Sequence, residues 1–414
     1  MENLIVQKYG GTSVANAERI MHVAKTVSDT YKKGKRVVVV VSAQGHTTDR
    51  LVEKARGISS DSNRRELDML LVTGEQQSAA LMAMALQSLG HDAVSLNAAQ
   101  VGIEATSVHG NAQIKRIRTA RLTEELEKGR IVVVAGFQGI NRFGDMTTLG
   151  RGASDTTAVA LAAVLEAELC EIYTDVDGIY TVDPRIVPTA KKLDVISYDD
   201  MLELASSGAG VLHNRAVEMA KRYRVNLVLR SSMSEIPGTL IKEATEVERL
   251  AVSGIAIDRN VARISVTGLE DKPGVAYSIF DPLAKGKLNV DVILLSVGEG
   301  EKRDYCFTVH KQEMGLACEI LEQNKEKIGY DTLITDENLA KLTIVGAGMA
   351  NNAGVASTMF EALYECGVNI ETICTSEIKI TVLIDQRHIT KAAKAVHDKF
   401  EPMFSKDYTQ TEDA

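Results

Sequence analysis

The sequence predicts an α/β protein, in which a mostly parallel β-sheet covered by helices is followed by two smaller modules with an α+β plan. Over roughly the first 240 residues, apolar runs alternate with stretches of helical periodicity, the pattern of a parallel sheet with helices on its faces. Beyond them, a sequence repeat returns at a constant offset of 80 residues. At 414 residues the chain is long enough for two or three domains, each with its own core.

Composition and charge exclude several classes of function. The formal net charge of −9 argues against non-specific binding to nucleic acid or to an anionic membrane, since both favour a basic surface. The first residues lack the basic start and apolar core of a secretory signal, and no apolar run approaches the roughly 18 residues of a membrane helix. We therefore expect a cytoplasmic protein that binds neither nucleic acid nor membrane.

The cysteines and histidines indicate no metal site. Five cysteines include no C-x-x-C pair and are odd in number, which argues against a zinc knuckle or a full disulfide framework. Eight histidines show no H-E-x-x-H spacing. We expect reduced, mostly structural cysteines.

The predicted elements of the sheet follow from local pattern. Strands are short runs rich in β-branched residues, and the run at 36–41 holds five consecutive valines, typical of a central strand buried on both faces. Predicted strands lie at 4–7, 36–41, 131–135, 171–174 and 226–229. Predicted helices lie at 15–30, 64–88, 113–128, 156–166 and 199–206.

Polar and glycine-rich segments follow four of these strands, at 8–13, 42–49, 136–139 and 175–178. Ligands of open α/β sheets bind beyond the carboxyl ends of the strands, so these segments are expected to converge on one rim. In the first segment, Gly10 and Gly11 let a polyanion approach the backbone N–H groups, and Lys8 places a positive charge beside it. A simple tight turn is the alternative for this diglycine.

The segment 147–158, T-T-L-G-R-G-A-S-D-T-T-A, is the second anion-binding candidate. Glycines flank Arg151, and Ser154 or Asp155 can cap the alanine-rich helix that follows. A helix N-terminus beside an arginine favours anions. The alternative is a well-capped helix with a solvated arginine.

Two further candidates each leave two interpretations open, which are equal for the segment 173–185, whereas for Glu75 the surface carboxylate is the commoner outcome. The segment 173–185 predicts either a nucleotide pocket, with Asp175 near ribose, phosphate or hydrated magnesium and Arg185 on phosphate, or an aspartate-rich hairpin. Glu75, after Gly74, predicts either a surface carboxylate or a partner for a substrate ammonium group.

The internal repeat begins after a charged boundary segment at 242–248. Each unit predicts a strand, a glycine turn, a helix, two strands and a further helix, at 314–324 in the first unit and 389–400 in the second. Such a pair suits a regulatory binding unit better than a second active site. The matched positions are Pro273, Gly274, Val275, Ala276, Phe280, Leu283, Asn289, Val290, Asp291 and Ile293 with Ala353, Gly354, Val355, Ala356, Phe360, Leu363, Asn369, Ile370, Glu371 and Ile373.

Together these segments resemble the monofunctional aspartate kinases over nearly the whole chain. The resemblance implies an α/β three-layer αβα sandwich, the amino-acid-kinase fold, at 1–245, followed by two α+β ferredoxin-like ACT-type domains at 262–335 and 340–405. It rests on K-Y-G-G-T-S-V (8–14), V-V-S-A with T-T-D (40–49), T-G-E (73–75), L-G-R-G-A-S-D-T-T-A (149–158), Y-T-D-V-D-G-I-Y-T-V-D-P-R (173–185) and T-S-E-I-K-I (375–380).

The resemblance also implies an activity, the transfer of the γ-phosphoryl group of ATP to the β-carboxylate of L-aspartate. This is the first step of lysine, threonine, methionine and diaminopimelate biosynthesis. Mg²⁺ would be held through the ATP phosphates, without a direct protein ligand. Since the aspartate side chain has an unperturbed pKa of about 3.9, the nucleophile is ionised and needs no general base. Catalysis would consist of positioning two anions and screening their repulsion.

Roles are implied residue by residue. Lys8 would neutralise charge on the phosphoryl group, and Asp155 would position that lysine. The implied ATP set is Lys8, Gly10, Gly11, Thr174, Asp175, Tyr180 and Arg185. The implied aspartate set is Ser42, Thr48, Glu75, Arg151 and Ser154, with Arg151 as the carboxylate clamp and Glu75 as the ammonium partner.

Feedback by L-lysine or L-threonine is implied as well, and which of them acts stays open. Relatives often differ at Leu295, Asn352, Ala353 and Ala356 in the repeats, and many carry a nucleotide-contacting lysine where this chain has Gly210. A homodimer is expected because ACT-type sheets usually pair, with an additional shorter regulatory chain as an open alternative. The implied effector residues are Asp271, Gly274, Ala276, Asn289, Asp291, Asn369, Ile370, Ser376 and Glu377.

Two other functions compete with this one. A kinase of the same fold could act on glutamate, acetylglutamate or a nucleoside monophosphate, but such relatives lack the T-S-E-I-K-I segment with two ACT-type repeats. A non-catalytic amino-acid sensor could keep the fold as a scaffold, but the joint presence of Lys8, Arg151, Asp155 and Asp175 argues against it.

Overall fold

The computed structural model describes residues 3–59, 62–150, 152–244, 252–297, 302–349, 352 and 354–404. The described residues form two compact units. The first unit comprises those of Met1–Tyr180, Lys192–Ser206 and Gly210–Val247, and the second comprises those of Thr181–Lys191, Ser207–Ala209 and Glu248–Ala414. Within the described ranges, no helix has the length and apolar character needed to cross a membrane.

The first unit is built on an eight-stranded sheet with β1 near its centre. The strand order is β12-β14-β13-β9-β1-β2-β6-β3, and every neighbouring pair is parallel except β13 with β14. All five valines of β2 are fully buried, as their run predicts. The strands of the first unit are β1 (Leu4–Tyr9), β2 (Arg36–Val41), β3 (Ala93–Leu96), β4 (Ile103–Ala105), β5 (Ile114–Ile117), β6 (Ile131–Ala135), β7 (Gln138–Ile140), β8 (Met146–Thr148), β9 (Leu169–Thr174), β10 (Ile179–Tyr180), β11 (Lys192–Leu193), β12 (Val195–Ser197), β13 (Leu227–Ser231) and β14 (Thr239–Lys242).

Helices cover both faces of this sheet, which confirms the predicted three-layer sandwich. Side chains of α1 and α4 share a core with Tyr9, Val39 and Tyr173 on one face. On the other face α7 packs against β1, β2 and β9, and α9 packs on α7. The helices are α1 (Ala17–Lys32), α2 (Thr47–Arg56), α3 (Arg64–Leu71), α4 (Thr73–Ser88), α5 (Ala98–Val101), α6 (Ala120–Glu127), α7 (Ala153–Val164), α8 (Tyr198–Leu204) and α9 (Asn214–Tyr223).

Two helix predictions in the first unit are wrong in part. The range 113–128 contains strand β5 before helix α6, because I-K-R-I pairs antiparallel with β4 in a small second sheet of order β5-β4-β7-β8. The range 64–88 is divided at Val72 into α3 and α4. The pattern also misses short strands such as β7 and β8, since runs of three residues show no period.

The second unit contains two four-stranded antiparallel sheets, which confirms the two α+β modules. Their orders are β17-β18-β16-β19 and β15-β20-β22-β21. Gly274 and Gly354 precede the repeat-related helices α10 and α13, and both have φ of 96°, which favours glycine. The elements are β15 (Gly254–Asp258), β16 (Val261–Glu270), α10 (Val275–Lys285), β17 (Ile293–Val297), β18 (Lys302–His310), α11 (Met314–Gln323), α12 (Lys325–Ile328), β19 (Thr332–Asp336), β20 (Leu339–Val345), α13 (Val355–Glu365), β21 (Thr372–Thr375), β22 (Lys379–Asp385) and α14 (Ile389–Phe400).

The first module is inserted into the second. Strand β15 precedes the whole first module in the chain, yet it pairs with β20 of the second module. There it occupies the edge that β19 occupies beside β16 in the first module. The sheet of the second module therefore contains one strand that precedes the first module in the chain and three strands that follow it. The repeat offset alone does not predict this arrangement.

The segment Thr181–Lys191 packs into the second unit although the sequence places it among the kinase motifs. Val182 and Val187 belong to the core that holds β20, β22, α13 and α14. The hydroxyl of Thr181 lies 2.9 Å from Nε2 of the fully buried His397. Arg185 is therefore part of the second unit, and both its Nε and Nη2 donate to Asp183.

Candidate active site

Lys8 and Asp155 form a shielded ion pair at the carboxyl end of the central strand. Lys8 lies on β1, whose neighbouring side chains Gln7 and Tyr9 point to the opposite face. Asp155 lies in the first turn of α7. Lys8 Nζ is 2.6 Å from Asp155 Oδ1, and each side chain is only 11% exposed. The pair combines an orienting carboxylate with a cation at the strand end where α/β sheets bind ligands.

The glycine loop that follows β1 has two different constraints. The Gly10 N–H donates to Tyr173 O at 3.2 Å, so this amide is not free to donate to a phosphate as the sequence suggests. A Cβ on Gly11 would lie 2.6 Å from Ala43 O, and Gly11 O accepts from Gly45 N–H at 2.9 Å. Gly11 thus permits the close approach of the loops that follow β1 and β2.

Glu75 is buried beside the same loop. Its exposure is 3%, and Oε1 accepts from the Ala43 N–H at 3.1 Å. Within the described part of the chain Oε2 has no hydrogen-bond partner. Burial raises the pKa of Glu75 to about 7. The surface-carboxylate alternative is therefore wrong, and a buried carboxylate oxygen of this kind suits a cationic ligand group.

Ser42 and Thr48 lie on the segment after β2, whose Ala43 N–H donates to Glu75 Oε1. Ser42 N–H donates to Tyr9 O at 3.1 Å, and Thr48 is in the first turn of α2; both are partly exposed. Gly74 lets the start of α4 pack closely against the segment after β2, because a Cβ on Gly74 would lie 2.9 Å from the Ala43 Cβ.

The segment before α7 differs from the predicted cap. The N-cap residue is Gly152, with φ of 70° and no side-chain cap, so capping by Ser154 or Asp155 is wrong. Both residues are already inside the first turn, where Asp155 reaches Lys8 and Ser154 faces Gly136. Arg151 lies outside the described residues.

Arg215 and His213, which were not predicted from the sequence, contact the segment before α7. Arg215 Nη1 donates to Leu149 O at 2.5 Å and its Nη2 donates to Ala112 O at 3.2 Å. A Cβ on Gly152 would lie 2.6 Å from His213 Cδ2. Nothing in the local pattern distinguishes Arg215 from a solvated arginine, because both carbonyl acceptors are distant in sequence.

Residues of the predicted nucleotide side follow β9. Thr174 Oγ1 donates to Asp175 Oδ1 at 3.0 Å, and Tyr180 OH donates to Asp177. Ser232, another residue that sequence reasoning missed, contacts the same strand end: its N–H donates to Thr174 O at 3.0 Å. Its Oγ also accepts from Ser13 Oγ at 2.7 Å, so the loops after β1, β9 and β13 are joined.

Several predicted effector residues of the second unit already have partners. Asp271 pairs with Arg303 at 2.7 Å, and Asp291 pairs with the buried Lys341 at 2.6 Å. Ser376 N–H donates to Lys379 O in the turn between β21 and β22. The remaining candidates, Gly274, Ala276, Asn289, Asn369, Ile370 and Glu377, lie at the helix starts, in the segments before β17 and β21, and in that turn. Of the departing positions, Leu295 is exposed on β17 and Ala353 lies outside the described residues.

Gly210 has no side chain to contact a nucleotide, and its φ of 53° lies in the left-handed region. The described part of the chain brings no group of three His, Cys, Asp or Glu side chains into a metal-binding arrangement.

Comparison with known proteins identifies the family. The family model described as the amino acid kinase family matches residues 3–231, and that of the ACT domain matches residues 342–400. An aspartokinase of Bacillus sp. (strain MGA3) is 48% identical over 399 residues, covering 96% of this chain and 97% of the relative. The aspartokinase of Corynebacterium glutamicum is 47% identical over 404 residues, covering 96% of each chain.

Solved structures agree with this. The aspartate kinase from Synechocystis has 44% identity and a TM-score of 0.54, covering 96% of this chain and 69% of that one. E. coli aspartokinase III in complex with lysine and aspartate has 25% identity and a TM-score of 0.76, covering 96% of this chain and 99% of that one. The chain therefore belongs to the aspartokinases, kinases of the amino acid kinase family that carry an ACT domain.

Proposed function

We propose that this aspartokinase transfers the γ-phosphoryl group of MgATP to the β-carboxylate of L-aspartate, giving 4-phospho-L-aspartate and ADP. The observation that supports this most directly is the Lys8–Asp155 pair at the end of β1. The reaction would be the first step of lysine, threonine, methionine and diaminopimelate biosynthesis, and we place the protein in the cytoplasm.

Charge compensation is the main task of such a site. The acceptor carboxylate is ionised at neutral pH, so no residue must remove a proton before attack. Both reactants are anions, and an approach to within about 3 Å needs a preorganised cation between them. Lys8 supplies that cation, and Asp155 keeps its ammonium group in one position.

The aspartate side of the site is assigned to the segment after β2 and the starts of α4 and α7. Glu75 Oε2 would accept from the substrate ammonium group, which compensates the buried charge. Ser42, Thr48 and Ser154 would contact the substrate as hydrogen-bond partners. Arg151 would hold its α-carboxylate.

The nucleotide side is assigned to the loops after β1 and β9. Because Tyr173 O accepts a hydrogen bond from the Gly10 N–H, we assign the backbone contact to phosphate to Gly11. Gly10 would leave room for the phosphate beside Lys8. Thr174, Asp175 and Tyr180 complete the set within the first unit. Asp175 is exposed, and Mg²⁺ bound to the ATP phosphates, which keeps several of its waters, would contact this carboxylate through water. Mg²⁺ would supply further screening of the phosphate charge.

An aspartyl hydroxamate assay tests this function. The purified protein is incubated with ATP, Mg²⁺, hydroxylamine and one acceptor: L-aspartate, glutamate or acetylglutamate. ADP release is followed in parallel, with a nucleoside monophosphate as a fourth acceptor. Product is expected with L-aspartate and with none of the other acceptors. Turnover only with another acceptor would favour a different kinase of the family, and no turnover with any acceptor would favour the non-catalytic sensor.

We also propose feedback through the two ACT-type modules, with L-lysine or L-threonine as effector. The lysine complex of E. coli aspartokinase III supports lysine as a candidate for this family. A homodimer, with or without a shorter regulatory chain, is the proposed assembly. Steady-state rates measured with each amino acid alone and with both together test the regulation, and an unchanged rate at millimolar concentrations of both would refute it.

A further inference from the structure

We propose that Glu171 is a positioning residue for phosphoryl transfer, acting through a buried polar layer formed with Gln7, Tyr9, Tyr173 and Arg230. The inference rests on the proposed kinase function and concerns the face of the sheet opposite Lys8. Neither the charge-compensating pair nor the substrate contacts assigned above use any member of this layer.

The polar layer spans the three adjacent strands β1, β9 and β13. Glu171 Oε2 accepts from Gln7 Nε2 at 2.7 Å and from Tyr173 OH at 3.2 Å, and Oε1 lies 3.3 Å from Arg230 Nη2. Tyr9 OH donates to Gln7 Oε1 at 3.3 Å, and the rings of Tyr9 and Tyr173 stack at 4.6 Å. Gln7, Tyr9, Glu171 and Tyr173 are all buried.

Stability alone does not account for this layer. Replacing a buried ion pair by apolar side chains of similar volume is often neutral or stabilising. The neighbouring strands β2 and β6 meet the same layer of helices with valines and isoleucine. Burial also raises the pKa of Tyr9 and Tyr173, so both phenols stay protonated as donors. A buried carboxylate that accepts from two adjacent strands instead defines the register and separation of those strands.

Those strands end at the reacting groups. Lys8 stands between Gln7 and Tyr9 on β1, and Thr174 follows Tyr173 on β9. A backbone hydrogen bond also joins the carboxyl ends of β1 and β9, because Gly10 N–H donates to Tyr173 O at 3.2 Å. A change in the polar layer therefore moves the cation on β1 relative to the nucleotide loop after β9. Displacements of about 1 Å can cost on the order of 100-fold in rate.

The test uses the nearly isosteric variant Glu171→Gln in the full-length protein. Its amide cannot accept at both positions, so the layer loses one of its bonds between strands. We expect kcat to fall by about tenfold or more, with the KM for aspartate within about twofold of wild type, since misplacement acts on the transition state. The double variant Gln7→Glu/Glu171→Gln returns a carboxylate to the paired position and should recover kcat to within about threefold.

Glu125→Gln is the matched control. Glu125 is also buried and pairs with Arg121 and Arg130, both at 2.7 Å, but α6 leads into the amino end of β6. It should lose comparable thermal stability with unchanged kcat. Tyr173→Phe, which removes a single donor, should show a smaller loss of kcat than Glu171→Gln.

Three results would overturn the inference: a Glu171→Gln kcat within twofold of wild type, an equal loss of kcat in Glu125→Gln, or no recovery in the double variant. An inactive wild-type protein would refute the proposed function itself, which the same assay detects before any variant is compared.

Discussion

Asp155 Oδ1 lies 2.6 Å from Lys8 Nζ, which joins the first turn of α7 to the end of β1 across one face of the sheet. The pair is almost entirely shielded from solvent, so its attraction is screened less than that of a surface pair. The same shielding means that neither partner can be removed without leaving a buried, uncompensated charge.

Replacement of Lys8 is expected to abolish most of the activity. In Lys8→Ala, turnover should fall by more than about 100-fold, the scale of losing one preorganised charge partner. Steady-state kinetics with ATP and aspartate measure this, with circular dichroism to show that the protein is folded. Lys35→Ala is the control, because Lys35 also pairs at 2.6 Å, with Glu168, but at the amino end of β2. Near-normal turnover in a folded Lys8→Ala protein would rule out the role of Lys8.

Alanine at the two adjacent loop glycines should have different effects. Gly11→Ala should destabilise the protein by about 1–3 kcal/mol, the usual cost of overpacking, because the new Cβ would lie 2.6 Å from Ala43 O. At Gly10 the nearest atoms to a Cβ are Lys8 Nζ and Tyr173 O, both at 3.7 Å, so stability should be retained while activity falls. Denaturant unfolding and kinetics separate the two effects. Equal stability of both variants would contradict this account of Gly11.

The burial of Glu75 predicts that the stability of the protein depends on pH. Its pKa is raised from 4.5 to about 7 in the folded protein, so folding favours the protonated form. That stabilising contribution is fully present below pH 4.5 and is lost as the pH rises through 7. In the absence of aspartate, Glu75→Gln should therefore gain stability relative to wild type between pH 5 and 8, by on the order of 3 kcal/mol.

Thermal unfolding across that pH range measures the gain, with exposed Glu53→Gln on α2 as a control that should show none. Saturating aspartate should reduce the difference, because its ammonium group compensates the ionised Glu75. The KM of Glu75→Gln for aspartate should rise. A variant with an unchanged KM would contradict the proposed ammonium contact.

Arg303 should weaken the binding of any effector that contacts the Asp271 carboxylate. The Arg303 guanidinium pairs with the Asp271 carboxylate at 2.7 Å, so an effector ammonium group must displace it. Arg303→Ala should lower the half-inhibiting concentration of lysine or threonine by up to about fivefold, the range of an exposed ion pair. Lys302→Ala, which removes the neighbouring pair with Asp331, is the control. Equal sensitivity of the two variants would contradict competition at Asp271.

Features with a local cause could be predicted from the sequence. The valine run of β2 and the glycine turns at Gly274 and Gly354 depend on residues close together in the chain. The internal repeat was visible because the same local pattern recurs 80 residues later. The helix predicted at 113–128 was wrong in part for the opposite reason, because strand β5 is stabilised by its pairing with β4 and not by its own short pattern.

The sequence by itself determined the fold class and which segments carry chemistry, since both depend on residue type and spacing. Only the tertiary structure decided how these segments meet. It showed that Gly11 makes room for Ala43, that Glu75 is buried, and that Arg215 binds the carbonyl groups of Leu149 and Ala112. It also placed β15 beside β20. Each of these depends on atoms from distant parts of the chain, whose distances no local pattern contains.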